Sequence, residues 1–345
     1  MKGPLDMKLA MTLALACCAP SIAFAKTTLE ECTKKIKADP KIVKVELKMV
    51  TLAPAGSKWA KEFQNWSDDA LIESDCQIVL KWYWNGGGGG DELRMVADLR
   101  QGQKHGAAMT AIGLGEIYKE VLLYQLPGLF ENWPALDKAR DAEKTFFEEE
   151  FAKRGFVIVG WGDVGAAKVM SVGKAIVTPE DLKGQTAFYL PGDVISPMFY
   201  SKVGLKGTSV SLGELGSHLG KDIQILNISP YAAEQLQLAS KVTHITAYTT
   251  AFVIGAVVLK KEKLDAMPAD LREIVLKTGK TRSEALTATI RTQDGEAFGR
   301  MKASKVTSTP TADQVKAWQD ILAATRKSLR GAPFNPEVFD RIVKK

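Results

Sequence analysis

The apolar positions of this chain alternate first and then recur at helical spacing. Val43, Val45, Leu47 and Met49 alternate with Lys44, Glu46 and Lys48, the period of a half-buried strand. Ser57 then suits the cap of a helix bearing Trp59, Phe63 and Trp66, whose spacing puts all three aromatics on one face. A second strand over 77–84 leads into a run of glycines, Gly86 to Gly90, and a helix from Asp91 to about Gln101. Residues 106–111 form a third, small-residue strand. This β-α-β-α-β order predicts a parallel sheet with crossover helices, hence the α/β class.

Further along, strands fit 155–161, 168–172, 186–190, 223–228 and 242–246, with a helix over 230–240. Residues 252–259 are almost wholly apolar, as expected of a strand buried on both faces. Residues 269–304 contain no proline and read as helix. A capping box, Thr28 to Glu31, starts a short helix that carries Cys32.

The beginning of the chain has a different character. Lys2 and Lys8 lead into an apolar run from Leu9 to Ala19, closed by Ala23-Phe24-Ala25. This is the layout of a cleavable secretory signal ending at Ala25, and it predicts export to the periplasm. A lipoprotein signal fits less well. Leu15 stands one place too late for Cys17, and a cysteine replaces the usual small residue before Cys18. Cleavage removes two of the four cysteines and leaves Cys32 and Cys76, which an oxidising compartment would pair. Two separate buried thiols are the alternative. Losing Lys2, Lys8 and Asp6 lowers the formal charge from +6 to +5, and no dense basic stripe suggests nucleic acid.

The glycine run invites a phosphate-loop reading, which its surroundings reject. A Walker loop ends in Gly-Lys-Ser/Thr, whereas these glycines end in Asp91-Glu92, whose charges repel phosphate. His105, His218 and His244 are scattered, without metal-ligand spacing, and no Gly-x-Ser-x-Gly elbow occurs. The residues therefore point to no enzyme, cofactor or metal site.

Leu126-Pro-Gly-Leu-Phe130, Gly160-Trp-Gly-Asp-Val-Gly165 and Thr178-Pro-Glu-Asp-Leu-Lys-Gly184 carry a resemblance. With them the chain resembles the solute-binding proteins of tripartite ATP-independent periplasmic (TRAP) transporters, in the DctP-like family. The resemblance implies a periplasmic-binding-protein-like fold, with two α/β lobes, a central ligand cleft and a long bracing helix. Lobe I would hold 26–160 plus 252–267. Lobe II would hold 161–251, with about 268–345 supplying the rest of it and the brace. Family members place a glycine-rich loop near the cleft, which offers a role for Gly86 to Gly90.

One departure changes the expected ligand. Relatives carry an arginine on the strand after Leu-Lys-Gly, where it clamps a carboxylate. Here 185–193 contains no arginine or lysine, and Phe188 falls on or beside that position. Near another arginine position of relatives stands Lys168, after two alanines. The remaining cleft candidates, by position, are Trp161, Asp163, Asn227, Tyr231, Met109, Thr110 and Phe130. Together they describe an apolar, aromatic-rich cleft for a solute more apolar than a dicarboxylate. The implied partners are the membrane subunits of a TRAP transporter, with a periplasmic accessory protein as a further one. A sensory or carrier role on the same scaffold is the alternative, and a secreted hydrolase is a distant third.

Overall fold

The structure, a computed structural model, describes residues 27–88 and 90–344. The expected signal, residues 1–25, lies outside the described residues. Nine strands form one mixed sheet. They are β1 (Val45–Thr51), β2 (Ile78–Tyr83), β3 (Gly106–Thr110), β4 (Phe156–Ser171), β5 (Thr186–Tyr189), β6 (Lys206–Ser209), β7 (Ile225–Ile228), β8 (His244–Lys260) and β9 (Val306–Ser308). Their order is β2-β1-β3-β8-β4-β7-β5-β6, with β9 beside β8.

The parallel pairing expected of the first three strands is present, since β1 lies parallel to both β2 and β3. Beyond them the sheet turns mixed, because β8 runs antiparallel to both β3 and β4. Strands β5, β6 and β7 then make a second parallel group. Two α/β lobes result, joined by β4 and β8.

Those two joining strands correct the sequence expectation. Segments 155–161 and 168–172 are one strand, as are 242–246 and 252–259. The intervening Gly160-Trp-Gly-Asp-Val-Gly165 lacks apolar alternation and so resembles a break. Its backbone nevertheless stays extended against β8, with register shifts at Ile158/Gly160, Asp163/Gly165, Ala167/Lys168 and Lys168/Met170.

The helix Ala269–Ser304 spans 36 residues and braces both lobes. At its start Thr278 accepts a 3.1 Å hydrogen bond from the Trp66 indole, on the helix Lys58–Glu73 of the first lobe. Towards its end Asp294 accepts the backbone N–H of Tyr231 at 3.0 Å, in the second lobe, and that of Ala166 in β4 at 2.8 Å.

The end of the chain divides between the lobes. On the helix Ala312–Leu329, Trp318 is buried among Val169, Leu182 and Phe199 of the second lobe. The last helix, Pro336–Val343, instead sends Phe339 and Ile342 into the first-lobe core beside Phe147 and Phe151. The final helix, expected with the second lobe and the brace, thus packs on the first lobe. Its apolar face matches the first core.

Cys32 and Cys76 form a disulfide with Cα atoms 5.1 Å apart, tying the N-terminal helix Leu29–Ala38 to the turn before β2. Backbone conformation explains two glycines of the run. Gly86 and Gly87 have φ of 73° and 63°, values that suit residues without a Cβ. Gly87 also lies against the Val50 side chain, which a Cβ would approach to 3.2 Å.

Candidate ligand cleft

A cavity of about 250 Å³ lies between the lobes, where β4 and β8 cross. The first lobe lines it with Met109 and Thr110 at the carboxyl end of β3, and with Trp59 and Phe63. The second lobe contributes Phe188 and Tyr189 at the carboxyl end of β5, then Phe199 and Tyr200. Gly160, Gly162 and Ala167 of β4 and Val253 and Gly255 of the adjacent β8 line it from the sheet, and Leu286 and Ile290 of the long helix complete it. Ligand sites of open α/β sheets form at such strand ends.

Five of the eight expected site residues line this cavity: Phe188, Asp163, Asn227, Met109 and Thr110. Phe188 is 6% exposed, and its carbonyl accepts a 2.7 Å bond from the Tyr200 hydroxyl, so the ring belongs to a braced wall. The Asn227 side chain meets the Thr250 hydroxyl at 2.6 Å.

The other three stand behind the wall. Gly160 and Gly162 face the cavity, so the intervening Trp161 points to the opposite side of β4 and packs edge-on against Tyr124 and Phe147. Tyr231 is 1% exposed and meets Trp59 edge-on at 5.5 Å. Phe130 packs on the first-lobe core. Lys168 is also not among the lining residues. Its ammonium donates to Thr249 at 2.9 Å and lies 4.6 Å from the Phe298 ring centroid, and burial pushes its pKa down. The described glycines of the 86–90 run do not line the cavity, but Glu92 does.

Charge in the cleft is one-sided. Its charged lining residues are Glu92, Asp163 and Asp193, and no lysine or arginine is among the described lining residues. Asp163 is already committed. Arg140 donates to it at 2.9 Å and Arg291 at 2.7 Å, while Arg291 also grips Asp137 at 2.7 and 2.6 Å. The hydrogen bond from Arg291 holds the Asp137 carboxyl below its usual range.

Glu92 has neutral partners only. It accepts from the Thr110 N–H at 2.6 Å, the Thr110 hydroxyl at 2.7 Å and the Gly113 N–H at 2.7 Å. Burial pushes its carboxyl above the usual range, against the pull of those donors.

Glu92, Gln125 and Asp193 were not foreseen from sequence. In sequence Glu92 reads only as a helix-start acid. Gln125, whose Oε1 accepts the Ile254 N–H at 3.0 Å, lies in an irregular stretch without period.

The lobes touch. Leu190, Val194, Ile195 and Met198 of the second lobe pack into the first-lobe core. Within that segment Gly192 has φ 88°, and a Cβ there would lie 2.8 Å from Leu93 Cδ1 and 3.3 Å from Ile112 Cγ2. A side chain at this point has nowhere to go while the lobes meet. Gly192→Leu should therefore hold the lobes apart and weaken ligand binding about tenfold or more, since closure buries the ligand. Calorimetry with the co-purified ligand measures this, and unchanged affinity would refute the contact's role.

Similar folds are known. A TRAP periplasmic solute-binding protein from Sulfurospirillum deleyianum, with bound succinate, superposes with TM-score 0.79 at 17% identity, covering 88% of this chain and 98% of that one. The sugar acid binding protein of Advenella mimigardefordensis, in complex with galactonate, gives 0.80 at 15% identity, with the same coverages of 88% and 98%. A TRAP periplasmic solute-binding protein from Ralstonia eutropha H16, with bound (S)-2-acetolactate, gives 0.78 at 21%, covering 87% and 99%. No curated relative matches the chain. The family model for bacterial extracellular solute-binding protein, family 7 (DctP) matches residues 49–330, and the chain belongs to that family.

Proposed function

We propose that this protein is the solute-binding component of a TRAP-type transporter, exported to the periplasm, with a ligand more apolar than a small dicarboxylate or sugar acid. It captures the solute between its lobes and delivers it to the membrane subunits. Lobe I comprises 26–160 and 252–267 together with the last helix. Lobe II comprises 161–251 and the helix Ala312–Leu329, with Ala269–Ser304 bracing both.

The observation that carries the ligand reading is the lining itself. Aromatic and aliphatic side chains dominate it, Phe188 stands in the second-lobe wall, and no described lining residue is a lysine or arginine. A buried carboxylate without a cation is costly, so small acids find little here to repay their desolvation. The three structural neighbours hold acids, but at 15–21% identity that likeness speaks for fold alone.

Mass spectrometry of ligand carried through purification names the solute. Calorimetry then tests Phe188→Ala, which should weaken it roughly fivefold through about 1 kcal/mol of lost apolar contact. Submicromolar binding of succinate, indifferent to Phe188→Ala, would overturn the reading.

A further inference from the structure

Resting on the solute-binding reading, we propose that the polar group of the ligand is a cation, an ammonium on an apolar body, received by Glu92 and Asp193. Of the three cavity carboxylates, only Asp163 is balanced by arginine. Glu92 is held by three neutral donors, and Asp193 uses one oxygen to accept the N–H groups of Ile195 and Ser196 at 2.8 and 3.0 Å. Neither forms an ion pair with any lysine or arginine among the described residues.

These two carboxylates come from opposite lobes and line the same cavity. Leu93, next to Glu92, lies against Gly192, next to Asp193. The Glu116 carboxylate is only 3.5 Å from the point where a Gly192 Cβ would stand. The cavity between the lobes thus has acidic groups on both walls and no lysine or arginine among its described lining residues. A cation seated there is attracted to a wall of each lobe and so favours the closed form. A carboxylate ligand adds a further negative charge. Aromatic faces on the same walls, Trp59, Phe63 and Phe188 among them, suit both an apolar body and a cation's approach.

Two matched trios test this by calorimetry at neutral pH. One is phenethylammonium, 2-phenylethanol and 3-phenylpropanoate. The other is cyclohexylmethylammonium, cyclohexylmethanol and cyclohexylacetate. The ammonium should bind tightest in at least one trio and the carboxylate weakest in both.

Glu92→Gln and Asp193→Asn should each weaken the ammonium about tenfold or more, as loss of a desolvated charge partner does. Each should change the alcohol by less than about twofold, a small fraction of a decade in affinity. Asparagine keeps the side-chain oxygen that accepts from Ile195 and Ser196, so Asp193→Asn keeps the fold test clean even where Glu92→Gln does not fold. Equal weakening of ammonium and alcohol would reduce both residues to shape and overturn the proposal. So would a carboxylate that binds tightest, or no binding by either ammonium at millimolar concentration. Tight carboxylate binding would leave the solute-binding reading standing, and the co-purified ligand judges that reading separately.

Discussion

Replacing Asp163 with alanine should lower stability by about 3–5 kcal/mol, the usual cost of removing one partner from a buried ion pair. The Asp163 side chain is 0% exposed and that of Arg140 8%, so alanine would leave a buried guanidinium to share Asp137 with Arg291. The loss would spread, because Arg140 and Arg291 also share Asp137. This knot ties the helix Trp133–Lys153, β4 and the long bracing helix at the place where the chain crosses between lobes. Urea denaturation measures the effect as a lowered midpoint with little change in slope.

The pH dependence has a definite sign. The Asp137 carboxyl is held low by Arg291, so its stabilisation is complete above the ordinary aspartate range and is lost as pH falls through the lowered value. An Asp163→Ala midpoint equal to that of the parent would show that the knot carries no stability.

Removing the disulfide should cost nearly as much. Cys32 and Cys76 are 44 residues apart, and closing a loop of that length stabilises by about 4 kcal/mol on the chain-entropy account. The double variant Cys32→Ser/Cys76→Ser should therefore unfold at clearly lower urea than the oxidised parent. Reduction of the parent should bring the two together. A parent whose midpoint ignores reductant would refute the expectation.

Most of the framework was legible in the sequence because periodicity and capping are local. Ser57 accepts from the Ala60 N–H at the start of Lys58–Glu73, as its position suggests, and the helix over 269–304 has the bounds its composition implies. The alternation from Val45 to Met49 became a strand with its apolar residues inward. What escaped notice depends on partners far along the chain. The continuity of β4 through its glycines is imposed by β8, some ninety residues later. Trp66 shares a helical face with Phe63, yet it packs on the long helix while Phe63 reaches the cavity. Only the turn of that helix between two neighbours separates their fates.

The lining of the cavity is partly legible in the sequence. Phe188 and Thr110 belong to strand ends, which the sequence places well. Trp161 lies off the lining because a pleated strand shows alternate residues to opposite faces, and the glycines beside it, having no side chains, hide which face is inward. Asp163 was found in the wall, but its charge is spent on arginines that lie 23 and 128 residues away.

The paired crossing of β4 and β8 limits how the lobes can part. A single connecting strand would let one lobe swing in any direction. Two strands hydrogen-bonded side by side behave more like a leaf spring, bending out of their plane readily but resisting shear along their length. The four register shifts, spread from Ile158 to Met170, loosen the spring along most of β4. Lobes that separate must then return along nearly the same arc. The seam between Leu93 and Gly192 can thus meet true on every cycle, guided by the sheet itself.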